Sequence, residues 1–279
     1  MITFGFRISN FEFRNADFEN STQLMINPTS EIRHPKSQRY VYCVAERVSN
    51  FPTQVLGIAA QEIELVTVDG LVAVTSQFES DVVPLSRENV LRHETVVRSV
   101  FATTTPLPFR FGTLVTQQVL NSYIKSRRPA LIERLLTVQN CAELSVKIIW
   151  SNWSERRQTR LQPKSLPDES GPGSSFLQSK REELFGNQEL GEEAKEISEW
   201  LGARLGRLVR QEKVSVEPRQ KLVLSGSYLI RRDCEADFRS ELEVLRTERP
   251  ELHFLISGPW PPYTFANIDL EFETQFGVS

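Results

Sequence analysis

The side chains able to do chemistry in this chain are three histidines, three cysteines and several paired carboxylates. Their spacing decides what they can do. A metal site needs ligands that converge. His34, His93 and His253 are isolated, and neither Cys-x-x-Cys nor His-x-x-x-His occurs. The pattern therefore predicts no metal and no cofactor. Cys43, Cys141 and Cys234 are odd in number and far apart, which fits reduced thiols in a cytosolic protein better than a disulfide framework. Gly171-Pro172-Gly173 loses a backbone donor to proline and follows no strand, so it reads as a linker and not as a phosphate cradle. Ser225-Gly-Ser227 lacks the strand-to-helix frame of a hydrolase elbow. Glu182-Glu183 and Glu192-Glu193 fall on solvated helix faces. No catalytic residue is assigned.

Three groups stand out for binding or packing. His93-Glu94 sits in a helical pattern with His93 on the apolar face, which favours a buried, hydrogen-bonded histidine. Arg110 falls between Phe109 and Phe111. On a strand it would project opposite to both. It would either pair with Glu94 or Glu143 or stand exposed at an interface. Gly258-Pro-Trp-Pro-Pro-Tyr-Thr-Phe265 combines proline-fixed backbone with Trp260, Tyr263 and Phe265. Such a segment tacks a chain onto its own fold or presents a rigid hot spot to a partner.

Composition sets the frame for these groups. The chain has 279 residues, 39% apolar and 25% charged, as in ordinary globular proteins. Lys+Arg 33 against Asp+Glu 36 leaves a net charge of −3. That provides no global field to collect nucleic acid or an anionic membrane. Arginines cluster at 127–128, 156–157, 204/207/210 and 231–232, each diluted by acids. Tyr40 and Tyr42 alternate as in an RNA-recognition sheet, but its Gly/aromatic strand is missing. No run approaches the ~18 apolar residues of a membrane span. A cytoplasmic location is expected.

The elements that position these residues are legible by period. Residues 1–38 read as a flexible extension in which Phe11 and Phe13 alternate. Tyr40–Ala45 reads as a buried strand. Glu62–Val68, Asp69-Gly70 and Leu71–Thr75 read as a hairpin. Ser86 caps a helix whose apolar face is Val90, His93, Val97, Val100 and Phe101. Phe109–Val115 reads as a strand, and 117–137 as two helices bent at Pro129. Leu144–Trp150 closes a first domain, 39–150. The order β, ββ, α, β, α, β predicts a ferredoxin-like sheet for it. A linker, 151–175, leads to a second α+β domain, 176–279. Its long helix carries Leu190, Ala194, Ile197, Leu201, Leu205 and Leu208, and Gly202 and Gly206 leave a smooth patch on it. Strand 222–230, helix 233–249 and strand 252–256 form a β–α–β unit, and the tail after Asp269 is acidic. The fold class is α+β with two domains.

Taken together, Tyr40–Ala45, Leu91-Arg-His-Glu94, Pro106-Leu-Pro-Phe-Arg-Phe-Gly112, Glu143–Trp150 and Gly258–Phe265 resemble the gas vesicle protein F/L family (GvpF/GvpL). The extension before Tyr40 is longer than the family usually shows, and 151–185 match nothing in it. The resemblance implies a two-domain α+β fold, no catalytic residues and an accessory role in gas vesicle assembly. The implied partners are the hydrophobic shell subunit GvpA and other accessory proteins, and the implied location is the gas vesicle. A permanent minor place in the shell is the alternative role. An enzyme or RNA-binding protein is the remote one. On this reading Arg110, Gly202, Gly206, Trp260, Tyr263 and Phe265 are interface candidates. His93, Glu94 and Glu143 are candidates for a structural network.

Overall fold

A computed structural model describes residues 38–150, 191–215, 222–266 and 268, with the backbone of 7–8 and 11–12. Most of the expected extension, the linker 151–175, residues 176–190 and the acidic tail lie outside the described residues. The chain divides into two compact units, Met1–Asn140 with Pro261–Ser279, and Cys141–Trp260.

In the first unit, β1 (Arg7–Ile8) and β2 (Phe11–Glu12) pair with each other. The main sheet is antiparallel. It contains β3 (Gln38–Ala45), β4 (Glu64–Val68), β5 (Leu71–Phe78), β6 (Leu107–Pro108) and β7 (Leu114–Thr116). Their order is β4-β5-β3-β6, with β7 also on β3. The central place of β3 explains its continuous apolar run, because both faces and both edges are covered. Asp69 adopts φ 51°, the left-handed geometry that the β4–β5 hairpin turn requires.

Helix α1 (Arg87–Phe101) starts where expected, with the Asn89 N–H donating to Ser86 Oγ at 3.1 Å. Its buried face adds Val96 to the five residues read from the sequence. It packs on Tyr40, Tyr42, Val74 and Phe78. Helix α2 (Gln117–Val138) is one helix and not two. Residues 125–130 around Pro129 are all exposed. Water can therefore satisfy the carbonyl that the proline leaves without a donor, and the helix continues.

The second unit contains β8 (Cys141–Trp150), α3 (described over 191–205), β9 (Val209–Ser215), β10 (Leu222–Arg231), α4 (Glu235–Glu248) and β11 (Leu252–Trp260). The sheet order is β11-β8-β10-β9, every pair antiparallel. This is the split β–α–β arrangement. The α+β class holds. The ferredoxin-like sheet expected over 39–150 lies instead over 141–260, where the described elements run β–α–β–β–α–β. The difference turns on β8, which pairs with β10 and β11 instead of closing the first sheet. Local periodicity identifies a strand but not its partner.

From Leu144 onward the alternation in β8 is strict. Leu144, Val146, Ile148 and Trp150 face Ile197, Leu201 and Leu205 of α3 and Phe238, Leu242 and Leu245 of α4. Arg204 of α3 donates to Glu241 at 2.9 Å and to Glu248 at 2.8 Å, tying the two helices together. A short helix, α5 (Tyr263–Ala266), returns the chain to the first unit.

Candidate protein-interaction site and the aromatic nest

His93 is fully buried in the first unit. The face of α1 carries it over β3, where alternation presents Tyr40 and Tyr42 on one side. Ring centroids lie 5.7 Å from Tyr40, 5.7 Å from Tyr42, 6.0 Å from Phe111 and 6.3 Å from Tyr263. The Gly112 N–H donates to Tyr40 Oη at 3.1 Å, and Tyr40 Oη lies 2.8 Å from His93 Nδ1. The economical assignment has the Tyr40 hydroxyl donating to Nδ1, which puts the ring proton on Nε2. Nε2 has no partner with hydrogen-bond geometry, although the Phe109 backbone is near enough to favour the charged ring weakly. Tyr42 Oη accepts from the Ile58 N–H at 2.7 Å and lies 2.9 Å from Ser76 Oγ.

Burial dominates the electrostatics of this nest. It pushes His93 down to about 3, so the ring is neutral at physiological pH. It raises the Tyr40 and Tyr42 hydroxyls and the Cys43 thiol, leaving all three protonated. Burial likewise raises Tyr263, with the Glu94 carboxylate adding to it. The nest is thus a buried cluster of a neutral imidazole and protonated hydroxyls. Among the described residues no three His, Cys, Asp or Glu side chains converge as metal ligands. Among them, too, no helix is long and apolar enough to cross a membrane.

The other expected residues take these places. Glu94 pairs with Arg98 one turn on, not with Arg110. Arg110 is exposed and does not lie on a strand. It belongs to a turn between β6 and β7, where Gly112 has φ 87° and Thr113 Oγ1 donates to the Arg110 carbonyl at 2.7 Å. The glycine reverses the chain that the flanking aromatics would have kept extended. Glu143 is buried on β8, opposite Trp260 in the register, and belongs to the other unit from Arg110. Gly206 follows the last described turn of α3, and its N–H donates to the Gly202 carbonyl at 2.9 Å. A Cβ on Gly206 would meet that oxygen at 2.7 Å, whereas one on Gly202 would meet nothing nearer than Glu212 Oε1 at 4.0 Å. Only Gly202 leaves open space.

The proline/aromatic segment is divided between the units. Trp260 is half-buried and ends β11, its Nε1 donating to Ser257 Oγ at 3.3 Å. Gly258 sits at φ 114°, with the Glu143 carbonyl oxygen 2.7 Å from where a Cβ would be. Tyr263 and Phe265 lie in the first unit, and Phe265 is 7% exposed. The nest partners Tyr40, Tyr42, Ser76 and Phe111 were not singled out as a network from the sequence. The usable signal was Tyr40-x-Tyr42 on one strand face with a histidine on the apolar face of the next helix.

Comparison with known proteins matches this architecture. A profile of the family described as "Gas vesicle synthesis protein GvpL/GvpF" matches residues 38–267. The chain belongs to the GvpL/GvpF family. Gas vesicle protein L2 of Halobacterium salinarum is 25% identical over 256 residues, 82% of this chain and 91% of that one. Gas vesicle protein F of Haloferax mediterranei is 26% identical over 245 residues, 85% of this chain and 97% of its own. Both named types of the family thus align at similar identity. The crystal structure of GvpF from Anabaena sp. PCC7120 superposes with a TM-score of 0.70 at 20% identity, covering 83% of this chain and 97% of that one. That likeness extends to the fold.

Proposed function

We propose that this GvpL/GvpF family member is a gas vesicle accessory protein, working by binding and not by catalysis. Its partners are the hydrophobic shell subunit GvpA and other accessory proteins. The family match over 38–267 carries the reading. The sealed, neutral state of His93 agrees with a binding role. A shell subunit that polymerises through apolar faces aggregates when left free. A soluble partner covering such a face, or adding a strand at its edge, would hold it for ordered addition. Of the interface candidates, Phe265 is buried, Tyr263 packs on the aromatic cluster and Gly206 closes against the Gly202 carbonyl. The proposed contacts are therefore drawn on Arg110 of the first unit and on Gly202 and Trp260 of the second.

Co-purification with the shell subunit tests this. A complex is expected with intact protein at micromolar concentration, and its absence sinks the reading. Trp260→Ala is expected to weaken the complex while leaving thermal unfolding cooperative. Loss of cooperative melting in that variant would assign Trp260 to packing instead.

A further inference from the structure

Among the described residues the second sheet has two edges, β9 and β11. An edge strand presents N–H and C=O groups with which another chain can pair. On β9, Arg210, Glu212 and Lys213 are all exposed, and charges of this kind blunt an edge. The sequence of β11 offers no such protection. Leu252-His-Phe-Leu-Ile-Ser257 holds no Lys, Arg, Asp or Glu, and Leu255 is 50% exposed. Pro259, which carries no N–H, interrupts pairing only beyond that run.

Protection of this edge comes from α4. Arg246 Nη2 donates to the Phe254 carbonyl at 3.1 Å, and Arg239 Nη2 donates to the Gly258 carbonyl at 2.9 Å. The two arginines stand about two helical turns apart, on one face of the helix. A carboxylate of α4 sets each of them. Arg246 Nη1 donates to Glu243 at 2.9 Å, and Arg239 Nε donates to Glu235 at 2.9 Å. β11 pairs with β8 in regular register from Leu252 to Ser257. Alternate residues of such a strand turn their N–H and C=O away from the partner. With Phe254 bonded to an α4 guanidinium, Phe254 and Ile256 form the outward set.

Uncovered, this edge would match itself. In an antiparallel pair centred on Leu255, Phe254 of one copy stands opposite Ile256 of the other, and Leu255 opposite Leu255. Outward groups then meet outward groups, and every one of these cross-strand pairs is apolar. We propose that Arg239 and Arg246 guard β11, keeping it from pairing with β11 of a second copy by occupying the carbonyls of Phe254 and Gly258. The guard concerns this chain alone and stands or falls apart from binding to any shell subunit.

The test is sedimentation velocity of the full chain from low to high micromolar concentration, with amide exchange at both ends of that range. Pairing must displace both charge-assisted bonds, so Arg239→Ala with Arg246→Ala should tighten self-association about 10-fold or more over wild type. The Phe254 and Ile256 amides of that variant should gain protection as concentration rises, and those of wild type should not. Adding Leu255→Lys sets like charges at the centre of the pair and should return association to the wild-type level. Equal association of wild type and a folded double variant would overturn the proposal. So would association that leaves the two β11 amides unprotected or survives Leu255→Lys. If the double variant loses its far-UV spectrum, Arg246→Ala alone must show the tighter association and the amide protection, and their absence there overturns the guard.

Discussion

Replacing His93 by glutamine removes the one buried base among the described residues of the first unit while keeping an acceptor for the Tyr40 hydroxyl. The consequence is a change in pH dependence. In the unfolded chain this ring takes a proton near 6.5; folded, burial holds it down to about 3. The unfolded state therefore binds more protons throughout that window. Stability is fully present above about 6.5 and falls as pH drops toward 3. The slope is about 1.4 kcal/mol per pH unit, so going from pH 6.5 to pH 5 costs about 2 kcal/mol. Most carboxylates titrate lower, near about 4, so their contribution across this step is small. Tyr40, Tyr42 and Cys43 stay protonated throughout. The assay is protection of the Val96 and Val97 amides of α1 at the two pH values, corrected for intrinsic exchange. These amides report the first unit itself, so two-state behaviour of the whole chain is not required. Wild type should lose about 2 kcal/mol across the step and His93→Gln close to none. Equal losses in the two proteins would refute the burial argument.

Two further substitutions probe single contacts. Gly258→Ala places a Cβ 2.7 Å from the Glu143 carbonyl oxygen at φ 114°. It should destabilise the second unit by about 2–5 kcal/mol in urea unfolding. A loss below about 1 kcal/mol would mean that β11 shifts freely. Tyr42→Phe leaves the buried Ile58 N–H without its acceptor and Ser76 without its partner. It should cost about 1–3 kcal/mol and leave the far-UV spectrum unchanged.

What the sequence made legible followed from how far each signal reaches along the chain. The Ser86 cap, the Asp69-Gly70 turn, the α1 face and the strand 144–150 depend on residues within a few positions, and each forms. Pairing does not depend on such neighbours. Nothing near Leu144 says that β8 lies between β10 and β11 and not beside β3. Strand β9 leaves no signal in the sequence, because Arg210, Gln211, Glu212 and Lys213 are exposed on an edge and show no apolar period. Arg110 leaves the expected strand because Gly112, at φ 87°, outweighs the flanking Phe109 and Phe111. Its two neighbours serve different partners, Phe109 facing Tyr123 and Phe111 facing His93. In the nest, His93 was legible as buried, but its partners come from a strand about fifty residues earlier and a turn about twenty later. A single sequence does not declare that convergence.

The second unit is inserted whole between α2 and α5 of the first. That arrangement sets a timetable for synthesis. The first unit waits for Tyr263 and Phe265 while Cys141–Trp260 is translated. At about 5–20 residues per second the delay is roughly ten seconds. Through that interval the nascent chain carries Tyr40, His93 and Phe111 with one wall of their nest still unmade. The inserted unit, continuous in sequence, can fold before the unit that surrounds it in sequence is finished. A partner recruited during translation would meet a different surface from one arriving afterwards.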